Sequence, residues 1–177
     1  MKKINVLSLF VAIAMGFVAN AQKIIDSESI VNFSLENRGS EVTGTLGGMK
    51  GDVIFDKENL SKSSFNVTMD ANTINTANGK RDAHLKNEDF FEVDKYPEIR
   101  FKSSSAVKNA DGSYTIKGDF TMKSVTKSVE INASVVTGDG QKFLAGQLPI
   151  NRVDYKVGSA DDGVGTRLTA HLKYPIQ

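Results

Sequence analysis

Three neighbouring side chains, Arg81, Asp82 and His84, are the residues of this sequence whose types and spacing could support chemistry. A histidine that is oriented by a carboxylate can act as a general base, and Asp82 with His84 is the only plausible pair for that role. No G-x-S-x-G motif and no second positioned acid accompanies them. Adjacent Arg and Asp side chains also form hydrogen-bond or ion-pair clamps. The cluster is therefore a candidate clamp, a candidate contact for a ligand head group, or a catalytic pair.

Polar residues near the C-terminus suggest two further sites. Asp161 and Asp162, with Asp154 nearby, resemble part of a calcium loop, but the alternating ligands and the distal Glu of a known loop are missing. This spacing favours a solvated turn. Arg152 and Asp154 share one face of a predicted strand, where they either pair with neighbouring strands or meet the head group of a ligand.

The composition excludes several classes of protein. The chain has no Cys, and its two His residues are too few for a multi-histidine metal site. We therefore expect no metal ion and no cofactor. Lys and Arg total 22 and Asp and Glu total 21, with no basic cluster, which argues against a nucleic-acid partner.

The first 21 residues have the features of a signal peptide. Met1-Lys2-Lys3 is a short cationic segment, residues 6–19 form an apolar run, and Ala19-Asn20-Ala21 is a small-x-small cleavage site. The alternative is a membrane anchor, for which the apolar run is short. We predict cleavage after Ala21, so that Gln22 is the first mature residue. Export to a periplasm or to the cell exterior follows, and the mature chain, residues 22–177, would have no integral membrane segment.

The remaining chain, with no sign of a second domain, alternates apolar and polar side chains with the two-residue period of β-strands. Phe65, Val67 and Met69, for example, alternate with polar residues. The same pattern covers residues 31–36, 98–102, 114–122, 128–135 and 164–172, with weaker strands at about 41–47, 51–56 and 143–157. About eight or nine antiparallel strands with one apolar face must form a sandwich or close into a barrel.

Residues 78–95 interrupt this alternation. The segment is rich in charge, yet it contains Leu85, Phe90 and Phe91. A short helix is predicted near residues 83–86, and Pro97 restarts extended chain. Loops of this length in compact domains are often functional. We expect the segment to cap the mouth of a barrel, with its three apolar residues closing the opening.

The same segment resembles a known family. Residues 76–91, TANGKRDAHLKNEDFF, resemble the signature T-x-N-x-x-R-D-x-H-L-x-S-x-D-F-F of the YceI-like family, and the similarity continues through residues 96–103, 114–122, 125–129 and 151–155. The resemblance implies a lipocalin-like antiparallel β-barrel of about eight strands with a short helical cap. It also implies a periplasmic protein that holds a long apolar chain, such as a polyisoprenoid, an isoprenoid quinone or a fatty amide. Two positions depart from the family pattern: Asn37 replaces a common His, and Ser124 replaces a usual Gly.

The inward apolar residues either fill the barrel or line a cavity, and periodicity alone leaves both possibilities open. The small inward residues Gly44, Gly118 and Ala133 favour a hollow barrel. The resemblance favours it too. We expect the cavity to be lined by Phe33, Leu35, Phe55, Phe65, Val67, Leu85, Phe90, Phe91, Ile99, Phe101, Ile116, Phe120 and Ile131. The candidate head-group or cap contacts are Asn37, Arg81, Asp82, His84, Arg152 and Asp154.

The leading hypothesis is that a monomer or homodimer sequesters or transports a long-chain lipid without covalent chemistry. Two alternatives remain. The first is a stress-related interaction protein with a filled barrel. The second is a barrel enzyme that uses Asp82 and His84.

Overall fold

The predicted strands form one curled antiparallel sheet in the computed structural model, which describes residues 22–23 and 31–176. Within those residues the sheet has ten strands: β1 Gln22–Lys23, β2 Val31–Asn37, β3 Ser40–Leu46, β4 Lys50–Ile54, β5 Ser64–Asp70, β6 Glu98–Lys108, β7 Tyr114–Met122, β8 Val125–Gly138, β9 Gln141–Asn151 and β10 Arg167–Ile176. Their order across the sheet is β1-β4-β5-β6-β7-β8-β9-β10-β2-β3. Nine of the strands match predicted segments, and β1 is an additional short strand. The prediction of an all-β antiparallel fold is confirmed.

The sheet curls until β3 approaches the chain that follows β5. Thr45 and Asn75 exchange backbone hydrogen bonds of 2.8 and 3.0 Å, and the amide of Gly47 donates to Thr73 Oγ1 at 2.8 Å. Residues 71–76 therefore bridge the seam between the two sides of the sheet. The result is a half-barrel that a loop completes.

The two-residue period places apolar side chains inside the half-barrel. In β7, Tyr114, Ile116, Phe120 and Met122 are buried, whereas the intervening charged residues are exposed. The alternation of residues 128–135 predicts an inward side chain at Val135, but this residue is exposed. The reason is that β7 begins at Tyr114, opposite Ala133, so Val135 extends beyond the end of its neighbour.

One prediction about the strands is wrong. The strand expected over residues 143–157 ends at Asn151, and Arg152–Tyr155 form a 3-10 turn that ends at Lys156 in a left-handed conformation. Arg152 and Asp154 therefore do not share a strand face. Arg152 continues the inward face of Leu148 and Ile150 and is buried.

The predicted short helix is present as α1, Gly79–Lys86. Asn78 caps its N-terminus, where its side-chain oxygen accepts a hydrogen bond from the Arg81 amide at 3.1 Å. Asp82 in the first turn and Lys86 in the last turn have the charges that the helix dipole favours. We call residues 78–95, which include α1 and the turns that follow it, the cap segment.

The predicted signal peptide, residues 1–21, lies outside the described residues, so the cleavage site after Ala21 stays a prediction. No helix in residues 22–23 and 31–176 is long and apolar enough to cross a bilayer.

Candidate ligand-binding cavity

A cavity lies inside the half-barrel, at the end that the cap segment covers. The volume of this cavity is about 180 Å³. A single water molecule needs only about 10–15 Å³ on the same scale. The space is therefore large enough for a ligand and is not a minor packing defect.

Most of the predicted apolar lining faces this cavity. The residues that do so are Phe33, Leu35, Val67, Leu85, Phe90, Phe91, Ile99, Phe101, Phe120 and Ile131. Other apolar residues absent from the predicted set also line the cavity, among them five from β9 and β10: Leu148, Ile150, Leu168, Ala170 and Leu172. The alternation of residues 164–172 was sufficient to identify the β10 residues as part of the lining, whereas the alternation in β9 was too weak to identify its residues.

Phe55, Phe65 and Ile116 were expected in the lining but lie outside it. The Phe55 ring packs edge-on against Tyr114, with ring centroids 5.1 Å apart, and lies 6.4 Å from the Phe65 ring. Ile116 is also buried, away from the cavity. Phe65 and Ile116 lie in the halves of β5 and β7 that are remote from the cap segment, and Phe55 directly follows β4; we call this part of the half-barrel the filled end. Periodicity gave their inward orientation correctly but carries no information about depth along the barrel.

The small inward residues do not create the empty space. A Cβ atom on Gly118 would lie only 2.8 Å from Phe101 Cε2, and one on Gly44 would overlap the Phe33 ring. Each glycine therefore leaves room for an aromatic ring from the neighbouring strand. Ala133 lies at the filled end, outside the cavity lining. The hollow interior was predicted correctly, but the argument from these three residues was wrong.

Polar groups line the cavity where its walls meet the cap segment. Among the predicted head-group and cap contacts, Asn37, Arg81, His84 and Arg152 line it, whereas Asp82 and Asp154 do not. Thr76, which the sequence did not single out, lines it as well. The wall is thus apolar over most of its surface, with a few hydrogen-bonding groups at the mouth.

Arg81 and Asp82 both bind Thr76. Arg81 Nε donates to Thr76 Oγ1 at 2.7 Å and Arg81 Nη2 donates to Thr76 O at 2.8 Å. Asp82 Oδ1 accepts from Thr76 Oγ1 at 2.5 Å and from the Thr76 amide at 2.9 Å. These hydrogen bonds from Thr76 hold the pKa of the Asp82 carboxyl below its usual value, against the opposing effect of burial. The pair fastens α1 to the seam of the half-barrel.

His84 has a different carboxylate neighbour from the one the catalytic alternative requires. Its Nε2 lies 3.6 Å from Asp89 Oδ2, and its ring packs edge-on against Phe90 with centroids 5.0 Å apart. In the described part of the chain, no hydrogen bond or ion pair joins His84 to Asp82. The two groups are therefore engaged with separate partners.

Arg152 organises the loop on the other side of the mouth, residues 156–166, which we call the mouth loop. The side chain is buried, at 3% exposure, and donates to the carbonyl oxygens of Val157, Ser159, Val164 and Gly165 at 2.7–3.1 Å. It also forms a bidentate pair with Asp162, at 2.6 and 2.9 Å. A single buried guanidinium therefore binds four carbonyl oxygens of this loop and one carboxylate.

Burial alone would raise the pKa of the Asp162 carboxyl. The hydrogen bonds from Arg152 and from the Val164 and Ser159 amides outweigh that effect, as does the arginine charge, and hold the pKa below its usual value. The predicted solvated turn is thus an anchored one. Asp154 pairs with Lys127 at 3.1 Å on the outside of the protein.

Gly158 and Lys123 join the cap segment to its surroundings. The Gly158 amide in the mouth loop donates to Asp89 O at 2.9 Å. Lys123, in the turn between β7 and β8, donates to Glu88 O at 3.3 Å and lies 3.7 Å from the Glu92 carboxylate. With the Thr76 clamp, these contacts fix the cap segment at three points around the mouth.

The described residues contain no group of three or more His, Cys, Asp or Glu side chains that could hold a metal ion.

Comparison with protein families gives a match over nearly the whole described chain. A family model described as a YceI-like domain matches residues 23–174. A UPF0312 protein of Vibrio campbellii is 30% identical over 167 residues, which cover 88% of each chain. A UPF0312 protein of Vibrio parahaemolyticus is 33% identical over 132 residues, which cover 71% of this chain and 70% of the relative.

Solved structures share the fold at lower sequence identity. BcnA of Burkholderia cenocepacia superposes with a TM-score of 0.79 at 19% identity and covers 87% of this chain and 99% of that chain. A polyisoprenoid binding domain from Saccharophagus degradans gives a TM-score of 0.64 at 12% identity, covering 88% and 98%. A Campylobacter jejuni YCEI protein gives 0.63 at 23% identity, covering 81% and 90%. The prediction of a lipocalin-like antiparallel β-barrel with a short helical cap is confirmed, with the sheet forming a half-barrel.

Proposed function

The chain belongs to the YceI-like family, and on that premise we propose that it binds a long-chain apolar lipid in the cavity and carries it without covalent chemistry. The observation that supports this most strongly is the cavity wall, which is apolar except for a few side chains at the mouth. The Saccharophagus degradans neighbour is a polyisoprenoid binding domain, and its shared fold adds weight to an isoprenoid ligand. An isoprenoid quinone or a fatty amide has the same general form.

The geometry also supports an orientation for the ligand. The filled end is blocked by the aromatic contacts of Phe55, and the mouth carries Asn37, Arg81 and His84. An amphiphile would therefore enter tail first, with its tail among Phe101, Phe120 and the neighbouring apolar residues. Its head group would remain at the mouth, close to the polar side chains.

The energetics of an apolar tail are sufficient for carriage. Burial of one methylene group contributes about 0.8 kcal/mol, so ten groups contribute about 8 kcal/mol. This corresponds to micromolar affinity before the cost of ordering the chain is subtracted. A longer chain with more buried groups would stay bound during purification.

The proposal includes export of the protein. The predicted leader would direct the chain to a periplasm, where the mature protein, as a monomer or homodimer, would sequester or move its lipid. Intact-mass measurement of the exported protein should give a chain that begins at Gln22. A mass that retains residues 1–21 would contradict this part of the proposal.

Covalent chemistry is not part of the proposal. Asp82 is engaged with Thr76, and His84 faces Asp89, so the pair on which the enzyme alternative depends is not assembled. The filled-barrel alternative requires apolar packing throughout the interior, whereas the interior of this half-barrel is filled at one end only.

The decisive experiment introduces a charge into the cavity wall. Val67→Asp should abolish binding of added geranylgeraniol, ubiquinone and oleamide, because an unpaired charge in an apolar cavity is costly to bury. Asn66→Asp is the matched control, since the same acidic residue then lies on the exposed outer face of β5. Native mass spectrometry and fluorescence displacement titrations measure the binding.

A second pair of variants guards against misfolding of the first. Ile131→Lys introduces a charge into the cavity from β8, and Asn132→Lys introduces it on the outer face. If the wild-type protein carries no lipid after purification and binds none of the three probes, the proposed function is wrong.

A further inference from the structure

Asn37 ends the inward face of β2, where it follows three apolar residues. Val31, Phe33, Leu35 and Asn37 all line the cavity, so this face changes from apolar to polar at its last residue. The next residue, Arg38, donates from Nε to Gly163 O of the mouth loop at 3.2 Å. Asn37 therefore lies at the mouth, where the head group of an amphiphile would be.

The side-chain oxygen of Asn37 is buried and has no hydrogen-bond partner among the described residues. Buried polar atoms in native proteins nearly always have a partner, because an unpaired one loses its hydrogen bonds to water. Asn151 Oδ1 is the other such oxygen in the described part of the chain, but Asn151 does not line the cavity. Among the described residues, Asn37 thus combines an unpaired side-chain acceptor with a position in the cavity wall.

The other polar groups at the mouth are already engaged. Arg152 is paired with Asp162 and with loop carbonyls, and Arg81 donates to Thr76, which also binds Asp82. His84 faces Asp89. A ligand head group therefore meets a wall in which the positive charges have partners and one carbonyl oxygen has none.

We infer that the ligand is an amphiphile whose head carries a hydrogen-bond donor, a hydroxyl or an amide N–H, and that Asn37 Oδ1 accepts this hydrogen bond. The inference rests on the proposed function and narrows it to one class of head group. Burial of the tail supplies affinity for any apolar chain. The Asn37 acceptor discriminates between the head groups of ligands whose tails have equal length. Asn37 is in this sense a specificity-determining residue of the cavity.

The experiment compares probes that share an unbranched eighteen-carbon chain. Oleyl alcohol and oleamide carry a donor, methyl oleate carries acceptors only, and octadecene has no polar head. In the wild-type protein we expect the two donor probes to bind about tenfold more tightly than methyl oleate, because the ester leaves the buried oxygen unpaired. Octadecene should also bind more weakly than the donor probes.

Two substitutions at Asn37 and one control test the residue. Asn37→Leu keeps similar bulk and removes the acceptor, so the ratio of affinities for oleyl alcohol and methyl oleate should fall to about one while octadecene still binds. Asn37→Ala also removes the amide and adds no bulk, so its ratio of affinities should be about one as well. This variant tests the inference in case the leucine side chain obstructs the mouth. Asn32→Leu makes the same change on the exposed face of β2 and should keep the wild-type ratio.

The outcomes separate this inference from the proposed function. If all four probes bind the wild type equally, or if both Asn37 variants keep the preference for donors, the inference is overturned and lipid binding stands. Equal binding would mean that solvent already satisfies the oxygen. If none of the four probes binds the wild type, the proposed function fails and the inference fails with it.

Discussion

The filled end and the cavity end of the half-barrel are built by the same strands but completed by different interactions. At the filled end, the Phe55 ring packs against Tyr114 of β7 and lies close to Phe65, and Ile116 of β7 is buried. Further along the same strand, Phe120 faces the cavity. One continuous apolar face thus serves as core in its first half and as ligand wall in its second half.

The cavity end lacks this packing in its centre and is held at its rim by polar contacts. The Thr76 clamp fastens α1, Arg152 holds the mouth loop, and Lys123 and Gly158 join the cap segment to both sides. Hydrogen bonds to charged groups are stronger than neutral ones, and at the rim they add to the burial of Phe90 and Phe91. The comparison shows how a small domain keeps an interior space open: apolar packing stabilises one end, and a charged network stabilises the border of the other.

The largest effect that tests this comparison is expected from Arg152→Ala. Removal of a buried guanidinium leaves Asp162 and several loop carbonyl oxygens without their donor, which should lower the free energy of unfolding by about 3–5 kcal/mol. Urea unfolding measures the loss. The control is Lys127→Ala, which breaks the exposed pair with Asp154 and should cost less than about 1 kcal/mol. Equal losses in the two variants would show that the rim network does not stabilise the cavity end.

A pair of isoleucine truncations compares apolar packing at the two ends. Ile116→Ala at the filled end should cost about 2–5 kcal/mol, because it opens a space in a packed core. Ile150→Ala should cost less in the ligand-free protein, since Ile150 already borders the cavity and loses fewer contacts. Thermal unfolding of both variants, with and without oleyl alcohol, measures the difference. A larger loss for Ile150→Ala without ligand would contradict the division into two ends.

The smallest effect concerns acid and the cap segment. The pKa of Asp82 is lowered in the folded protein, so its ionised form stabilises the clamp above the unfolded pKa of about 3.9. This contribution is lost as the pH falls through the lower, folded pKa. Hydrogen exchange in residues 78–95 should therefore accelerate below about pH 4, and Asp82→Asn should remove that acid step.

Asp111 is the matched residue at the filled end. It accepts hydrogen bonds from the Ser113 amide and hydroxyl at 2.9 and 2.6 Å, and these bonds hold its pKa below the usual value as well. Asp111→Asn should affect exchange in its own turn only. An unchanged acid profile of the cap segment in Asp82→Asn would show that the carboxylate does not fasten α1.

The alternation of side chains predicted the strands well because it depends only on local geometry. Successive residues of a strand point to opposite faces, so the inward orientation of Phe33, Phe101 and Ile131 follows from the sequence. The strand over residues 143–157 was extended too far because Val153, Tyr155 and Val157 alternate with polar residues as in a strand, although Arg152–Tyr155 form a 3-10 turn. The short helix was identified from the charged, non-alternating composition of the cap segment.

The sequence by itself determined the all-β class, the face of each strand that is buried, the cap segment and the resemblance to the family. These properties depend on periodicity, composition and motifs, which are local in the chain. Only the tertiary structure decided how deep each inward residue lies, and therefore that Phe55, Phe65 and Ile116 fill one end while Phe120 faces a cavity. It also decided that Gly44 and Gly118 receive aromatic rings, that Arg152 is buried with Asp162, and that Asp82 and His84 have separate partners. The depth of a residue and its ring contacts depend on how far one strand is shifted against its neighbours, and that shift is set by contacts between residues distant in sequence. The partners of Arg152, Asp82 and His84 depend instead on the path of the loops and of α1.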